Sequence, residues 1–218
     1  AAAVEHDREP LDRSRGAVEF IATCARKFPG EVCVATIGAM TNLAAALCCD
    51  PELARLLRGV WTNAGLQPPK HAREPEWNVR YDPPAAQGVA RSGVPWTVLG
   101  TDTCSKNGLR RAELAAIGAK DHPSTRTLLE LVGLYAKHKQ KLPVHDWRDV
   151  ERIWVSDVSV LIALMQPDVI QFKQGRIGVT ADARMTFAED AQGPHRLAVS
   201  QAPESFREEI VRRITSAM

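Results

Sequence analysis

The order of apolar and polar positions divides the chain into short alternating elements. From Gly16 to Phe28 apolar residues recur at Val18, Ile21, Ala22 and Ala25, one stripe on a helix, and Pro29-Gly30 ends it. Glu31 to Ile37 then carries VCVATI, the nearly continuous β-branched run of a strand covered on both faces. Thr41 to Cys49 reads as an Ala/Leu helix, and Asp50-Pro51 as the N-cap and first turn of another. Gly59 to Thr62 is a second buried strand, followed by a long loop from Asn63 to Tyr81. Asp82-Pro83 opens a helix that Ser92-Gly93 closes, and PWTVLG, Pro95 to Gly100, is a third strand. The second half predicts helices over about 110–119 and 124–138, a polar stretch KLPVHDWRD, and a short strand over Arg152–Val155. Asp157 heads a helix from Val158 to Met165 that stops at Pro167; residues 169–187 alternate as an antiparallel hairpin, 195–200 as an edge strand, and Glu204–Ile214 is the last helix.

Strands alternating with helices imply βαβ units, hence an α/β fold with a mostly parallel sheet flanked by helices. Ligands of such sheets sit beyond the carboxyl ends of the strands. Ile37, Asn63 and Asp102 are therefore expected on one rim. The loop after Asn63 is long for a compact domain, a length common where a loop has a function. The 218 residues are expected to form a single domain over 1–218, with 1–14 an irregular polar tail. Scattered charges, 28 Lys+Arg against 26 Asp+Glu, give no broad attraction to nucleic acid or membrane. No apolar run is long enough to span a bilayer. The five cysteines, Cys24, Cys33, Cys48, Cys49 and Cys104, are odd in number and show no CxxC spacing. Buried free thiols in a reducing, cytoplasmic compartment are expected. The opening AAAVEH lacks an initiator Met and reads as a cut end or a tail.

Folding alone does not explain PEWNVRYDPPAA, Pro75 to Ala86. Glu76 and Asn78 stand two apart on what reads as an extended loop, so their side chains are expected to point the same way. A carboxylate and an amide together accept from and donate to vicinal hydroxyls. The plain alternative is a solvated Glu and a turn Asn. Asp157 has a plain alternative as a helix N-cap, Asn63 as a loop Asn making turn hydrogen bonds, and Ile37 as a buried strand residue. Asn42 and Asp102 read as structural, and Trp77 and Trp154 as core.

Five segments, in order, resemble the inosine–uridine nucleoside hydrolase family. PGEVCVATIGAMTNLAAAL is similar to the family's PGEVTLVAxGPLTNIALAL, and DPELARLLRGVWTNAG to DPELAxxIKxIVxMGG. EWNVRYDPPAA is similar to EFNxxxDPEAA, SGVPWTVLGTDT to SGVPVTMVGLDVT, and SDVSVLIALMQPDV to HDPLAVAxxIDPSL. The resemblance implies a nucleoside hydrolase-like α/β fold lacking its N-terminal strands, a calcium ion at the sheet rim, and hydrolysis of a ribonucleoside to ribose and free base. It also implies homodimers or homotetramers. By the same resemblance Glu76 and Asn78 match the residues that bind ribose hydroxyls, and Asn63 falls near the ribose. Asp157 matches the late calcium ligand and Ile37 the position whose backbone carbonyl binds calcium. Hard cations take oxygen ligands, which accords with carboxylate and carbonyl donors. VHD at Val144–Asp146 is a rival for the metal Asp, but only Asp157 is followed by an apolar helix and then by a Pro ten residues on, at Pro167.

The sequence also departs from the family. The acidic cluster DxDxxxDD, which supplies most calcium ligands and the general-base Asp, is nowhere in the chain; Asp7 and Asp12 have the wrong spacing. No catalytic residue is identified. Ser156 replaces the His implicated in protonating the leaving base, Lys70 or His71 lies where an Asn precedes EFN, and MGG has become NAG with Ala64 for the first Gly. Two expectations stay open: a fragment of a longer calcium-dependent hydrolase, or a degenerate relative that binds ribose or nucleoside without turnover, or only oligomerises. No Gly-rich phosphate loop or GxSxG motif points to an unrelated doubly wound enzyme.

Overall fold

A computed structural model describes residues 16–66, 74–139 and 141–216; the predicted tail at 1–14 lies outside them. Helix α1 (Ala17–Lys27) ends where Gly30 turns the chain at φ +79°. Strand β1 (Cys33–Thr36) leads into α2 (Thr41–Cys49), a short α3 (Leu53–Leu56) and β2 (Gly59–Asn63), every residue of which is buried. After the loop come α4 (Trp77–Tyr81), α5 (Pro83–Arg91), β3 (Trp96–Leu99) and a single turn α6 (Thr101–Cys104). The chain continues through β4 (Gly108–Arg110), α7 (Arg111–Gly118), α8 (Pro123–His138), β5 (Arg152–Trp154) and α9 (Val158–Met165). It finishes with β6 (Ile170–Val179), β7 (Met185–Glu189), β8 (His195–Gln201) and α10 (Pro203–Ser216).

The main sheet has the order β1-β2-β3-β8-β6-β7. Its first four strands are parallel neighbours, and β6 and β7 add on antiparallel. Strand periodicity divides its residues between two cores. Val60, Trp96, Val98 and Leu197 face α1, α2 and α5, whereas Trp61, Leu99 and Ala198 pack with Val160 and Ala163 of α9. A third cluster joins α7, α8 and α10 around Leu114, Ile117, Leu129 and Phe206. Strands β4 and β5 form a separate antiparallel pair beside it.

The register fixes the rim. Thr36 lies level with Thr62, and Asn63 with Leu99, so Ile37, Asn63 and the start of α6 follow one another across adjacent strand ends. The expected common rim for Ile37, Asn63 and Asp102 is what parallel pairing produces.

Four expectations are corrected. Residues 195–201 are not an edge strand: β8 lies between β3 and β6, because its residues Leu197 and Ala198 are needed on both sheet faces. Asp50 is not the N-cap of the next helix; it is the C-cap of α2 and pairs with Arg26 at 2.5 Å, while α3 begins at Leu53 behind Glu52. Trp77 and Trp154 are not core but 58% and 46% exposed, each covered on one ring face by an arginine, Arg80 and Arg152. Cys48 and Cys49 are exposed, while Cys104 is buried; all five cysteines are free.

Candidate functional site

The segment read as an extended loop is a capped helix. Glu76 is the N-cap of α4, and its Oε2 accepts the main-chain N–H groups of Asn78 at 3.0 Å and Val79 at 3.2 Å. The same oxygen accepts the N–H of Gly65 at 3.0 Å, fastening α4 to the chain leaving β2. Gly65 was missed by sequence reasoning. It sits at φ +66°, and a Cβ there would lie 2.8 Å from the Met185 sulfur, so only glycine fits. The available signal was a glycine directly after a buried strand, a common place for a left-handed turn. The side chains of Glu76 and Asn78 converge, though through helix-cap geometry and not through the alternation of an extended strand.

Asn78 donates from Nδ2 to the main-chain carbonyl of Asn63 at 2.7 Å. Asn63, 5% exposed, in turn donates from its own Nδ2 to Asp157 Oδ1 at 2.9 Å, across 94 residues of sequence. That donation fixes the Asn63 amide, leaving its Oδ1 buried with no hydrogen-bond partner among the described residues. Buried acceptors are nearly always satisfied by protein or ordered water, so this oxygen is free to accept from a donor outside the described residues. Thr36 Oγ1, one strand over, is buried in the same condition.

Asp157 precedes α9, but its carboxylate makes no cap hydrogen bond to its own helix. Asp157 thus holds the N-cap position without capping through its side chain, which turns to Asn63 instead. Three carboxylates surround one reporter. Burial pushes the Cys104 thiol up to about 12; a Ser159 hydrogen bond pulls it down, and the negative charges of Asp157, Asp102 and Glu76 raise it further. The charges of these three acidic groups all reach the buried thiol, so the potential behind the rim is negative. The structure thus brings together Asn63, Glu76, Asn78 and Asp157. Ile37, 51% exposed, stands beside them at the end of β1 and is not a buried strand residue. His145 and Asp146 belong elsewhere, where Asp146 caps a 3-10 turn at Trp147–Asp149. A cleft of about 630 Å³ along α8 is lined by none of the rim residues.

The resemblance implies a calcium ion at this rim. Oxygen donors are present, in keeping with a hard cation, but calcium takes about six to eight of them. Among the described residues no three His, Cys, Asp or Glu side chains converge to hold a metal. Asp157 and one main-chain carbonyl do not make a calcium cage, so no chemical step is derived through the ion. What the described residues do present is a fixed amide, an unsatisfied amide oxygen and a concentration of negative charge. Such a set receives hydroxyl donors.

Known proteins give the site its context. Uridine nucleosidase 1 of Arabidopsis thaliana is 26% identical over 175 residues, 76% of this chain and 48% of that protein. The pyrimidine-specific ribonucleoside hydrolase RihA of Salmonella newport is 30% identical over 185 residues, 81% of this chain and 55% of that protein. The chain thus spans about half the length of these curated relatives. The solved plant nucleoside hydrolase PpNRh1 superposes with a TM-score of 0.79 at 22% identity, over 97% of this chain and 70% of that one, a likeness of fold. The family model for inosine-uridine preferring nucleoside hydrolase matches residues 3–208, and the chain belongs to that family.

Proposed function

We propose that the rim site grips the ribose of a ribonucleoside and that the protein serves hydrolysis of the N-glycosidic bond, giving ribose and free base. The observation that carries this reading is the chain of hydrogen bonds Asn78–Asn63–Asp157, which ties three distant segments to one point. Asn63 and Asn78 position sugar hydroxyls, the first through its unsatisfied Oδ1. Glu76 uses Oε2 as the cap and offers Oε1, which has no partner among the described residues. Glycoside cleavage passes through an oxocarbenium-like transition state. Positive charge growing on the sugar ring is stabilised by the negative potential of Asp157, Asp102 and Glu76, the same potential that Cys104 feels. The names of the relatives, uridine nucleosidase and ribonucleoside hydrolase, support the substrate class.

The family is generally metal-dependent. Calcium is the ion proposed here, with Asp157 and the Ile37 carbonyl as its contacts from this chain. A cytoplasmic setting and a homodimer or homotetramer complete the proposal; five free thiols support the former, and among the described residues no helix is long and apolar enough to cross a membrane.

A second reading, ribose or nucleoside binding without turnover, is favoured by one observation. Ser156, directly before Asp157, cannot act as a proton donor near neutral pH. Two measurements decide. Calorimetric titration with ribose in the presence of calcium is expected to show binding that Asn63→Ala abolishes; a flat isotherm for the unaltered chain overturns the sugar site. Reducing-sugar release from inosine and uridine then separates hydrolysis from binding alone.

A further inference from the structure

Behind the rim lies a buried polar network that the proposed sugar contacts do not use. Asn107 is fully buried and follows α6. Its Nδ2 spends both hydrogens, one on Ser159 Oγ at 2.9 Å and one on Gln201 Oε1 at 2.7 Å. Gln201, the last residue of β8, donates in turn to the carbonyl of Thr103 at 2.5 Å. Ser159, itself fully buried, stands two residues after Asp157 on the first turn of α9 and also hydrogen-bonds the Cys104 thiol. The Asn107 amide thus joins α9, through Ser159, to β8, through Gln201, and Gln201 carries the network on to α6 at Thr103.

The placement is informative. Helix α9 is short and otherwise apolar, and Val160, Ile162 and Ala163 hold it by non-directional contacts. Such contacts set the depth and approximate rotation of the helix but select no single hydrogen-bond geometry for its first turn. Helical geometry advances each residue about 100°, so a modest rotation would carry Asp157 off Asn63. The Asn107–Ser159 hydrogen bond is directional and lies in a dry environment, where it is strong and its loss is expensive. From outside, Arg152 braces the same turn by donating to the Lys106 carbonyl at 3.0 Å.

We propose that Asn107 is the positioning residue of the rim site: by clamping Ser159 to the end of β8, it sets the rotation of α9 and so aims the Asp157 carboxylate at Asn63. This rests on the sugar-site reading for its functional consequence, but not for its geometry. Around metal ligands, outer contacts that orient a binding group are typically worth about tenfold to a hundredfold in metal affinity or activity, and an effect of that order is expected here.

The test compares Asn107→Ala with Val132→Ala, a core truncation in α8 remote from the rim. Nuclear magnetic resonance follows hydrogen exchange of the Asn63 side-chain amide, and calorimetry follows ribose in the presence of calcium. Asn107→Ala is expected to speed Asn63 amide exchange at least about tenfold and to weaken ribose by a similar factor. Val132→Ala is expected to lower the melting temperature while leaving both readings unchanged. Should Asn107→Ala fail to fold, Ser159→Ala, which removes one oxygen and keeps the packing, takes its place with the same expectation. Unchanged Asn63 exchange in a folded variant overturns the proposal. A flat ribose isotherm for the unaltered chain overturns the sugar site instead, and the exchange measurement still decides whether Asn107 positions Asp157.

Discussion

Asp157 occupies the place where an aspartate ordinarily caps a helix, yet its carboxylate accepts from Asn63 and not from its own helix. A carboxylate that forgoes its local donors is being used by another part of the molecule. Asn63→Asp tests the pairing. It sets a second negative charge within hydrogen-bond distance of the first, and the variant is expected to lose about 1–3 kcal/mol of stability at pH 7. The loss should shrink in thermal melts at acid pH, where one of the two carboxyls takes a proton. His195 gives a second prediction at this scale. It is 3% exposed in β8, accepts the Ile177 N–H on Nδ1 at 2.8 Å and lies edge-on against Trp96 at 5.9 Å. Burial, with the Arg176 charge, holds its pKa below the ordinary 6.5. The unfolded chain therefore binds this proton first as pH falls. Stability is full above about 6.5 and declines below it. Melts between pH 7.5 and 5 should show that decline, and His195→Asn, which keeps an acceptor but does not titrate, should flatten it.

At the scale of elements, the link between β2 and α4 carries the site. Glu76 serves as cap and bridge at once and is the acid of the proposed sugar site, and its hold on the chain after β2 depends on Gly65 adopting φ +66°. Gly65→Ala is expected to cost about 1–3 kcal/mol through backbone strain and collision with Met185. Because the turn carries Glu76, the same variant should also weaken ribose; a stability loss with ribose binding intact would detach the turn from the site. Sequence periodicity located nearly every helix and strand but could not see α4. Its five residues are too few for a helical stripe, and its cap is a glutamate, not the usual Ser, Thr, Asp or Asn. The edge assignment of β8 failed for a related reason. A seven-residue strand looks alike at the edge and in the middle of a sheet, because position in a sheet is a property of neighbours.

For the molecule as a whole, the decisive quantity is how many oxygens the rim assembles. With Asp157 and one carbonyl as its proposed contacts, this chain is expected to bind calcium too weakly for millimolar ion to raise the melting temperature. A cage saturated a hundredfold above its Kd would add about 2.7 kcal/mol, a rise of several degrees for a chain of this size. Melts with 1 mM calcium and with a chelator distinguish the two, and a rise of that size would show a complete cage. The sequence by itself determined the α/β class, the shared rim and the family resemblance. Apolar periodicity, strand polarity and five ordered segments are all local or additive along the chain. It also named Asn63, Glu76, Asn78 and Asp157, though only through the resemblance, since each has an ordinary structural alternative. Tertiary structure alone decided what each of these side chains touches. The Asn63–Asp157 bond, the Asn107 clamp and the charge around Cys104 join residues far apart in sequence. Hydrogen bonds and Coulomb forces act over a few ångströms of space, and folding, not order along the chain, sets those distances.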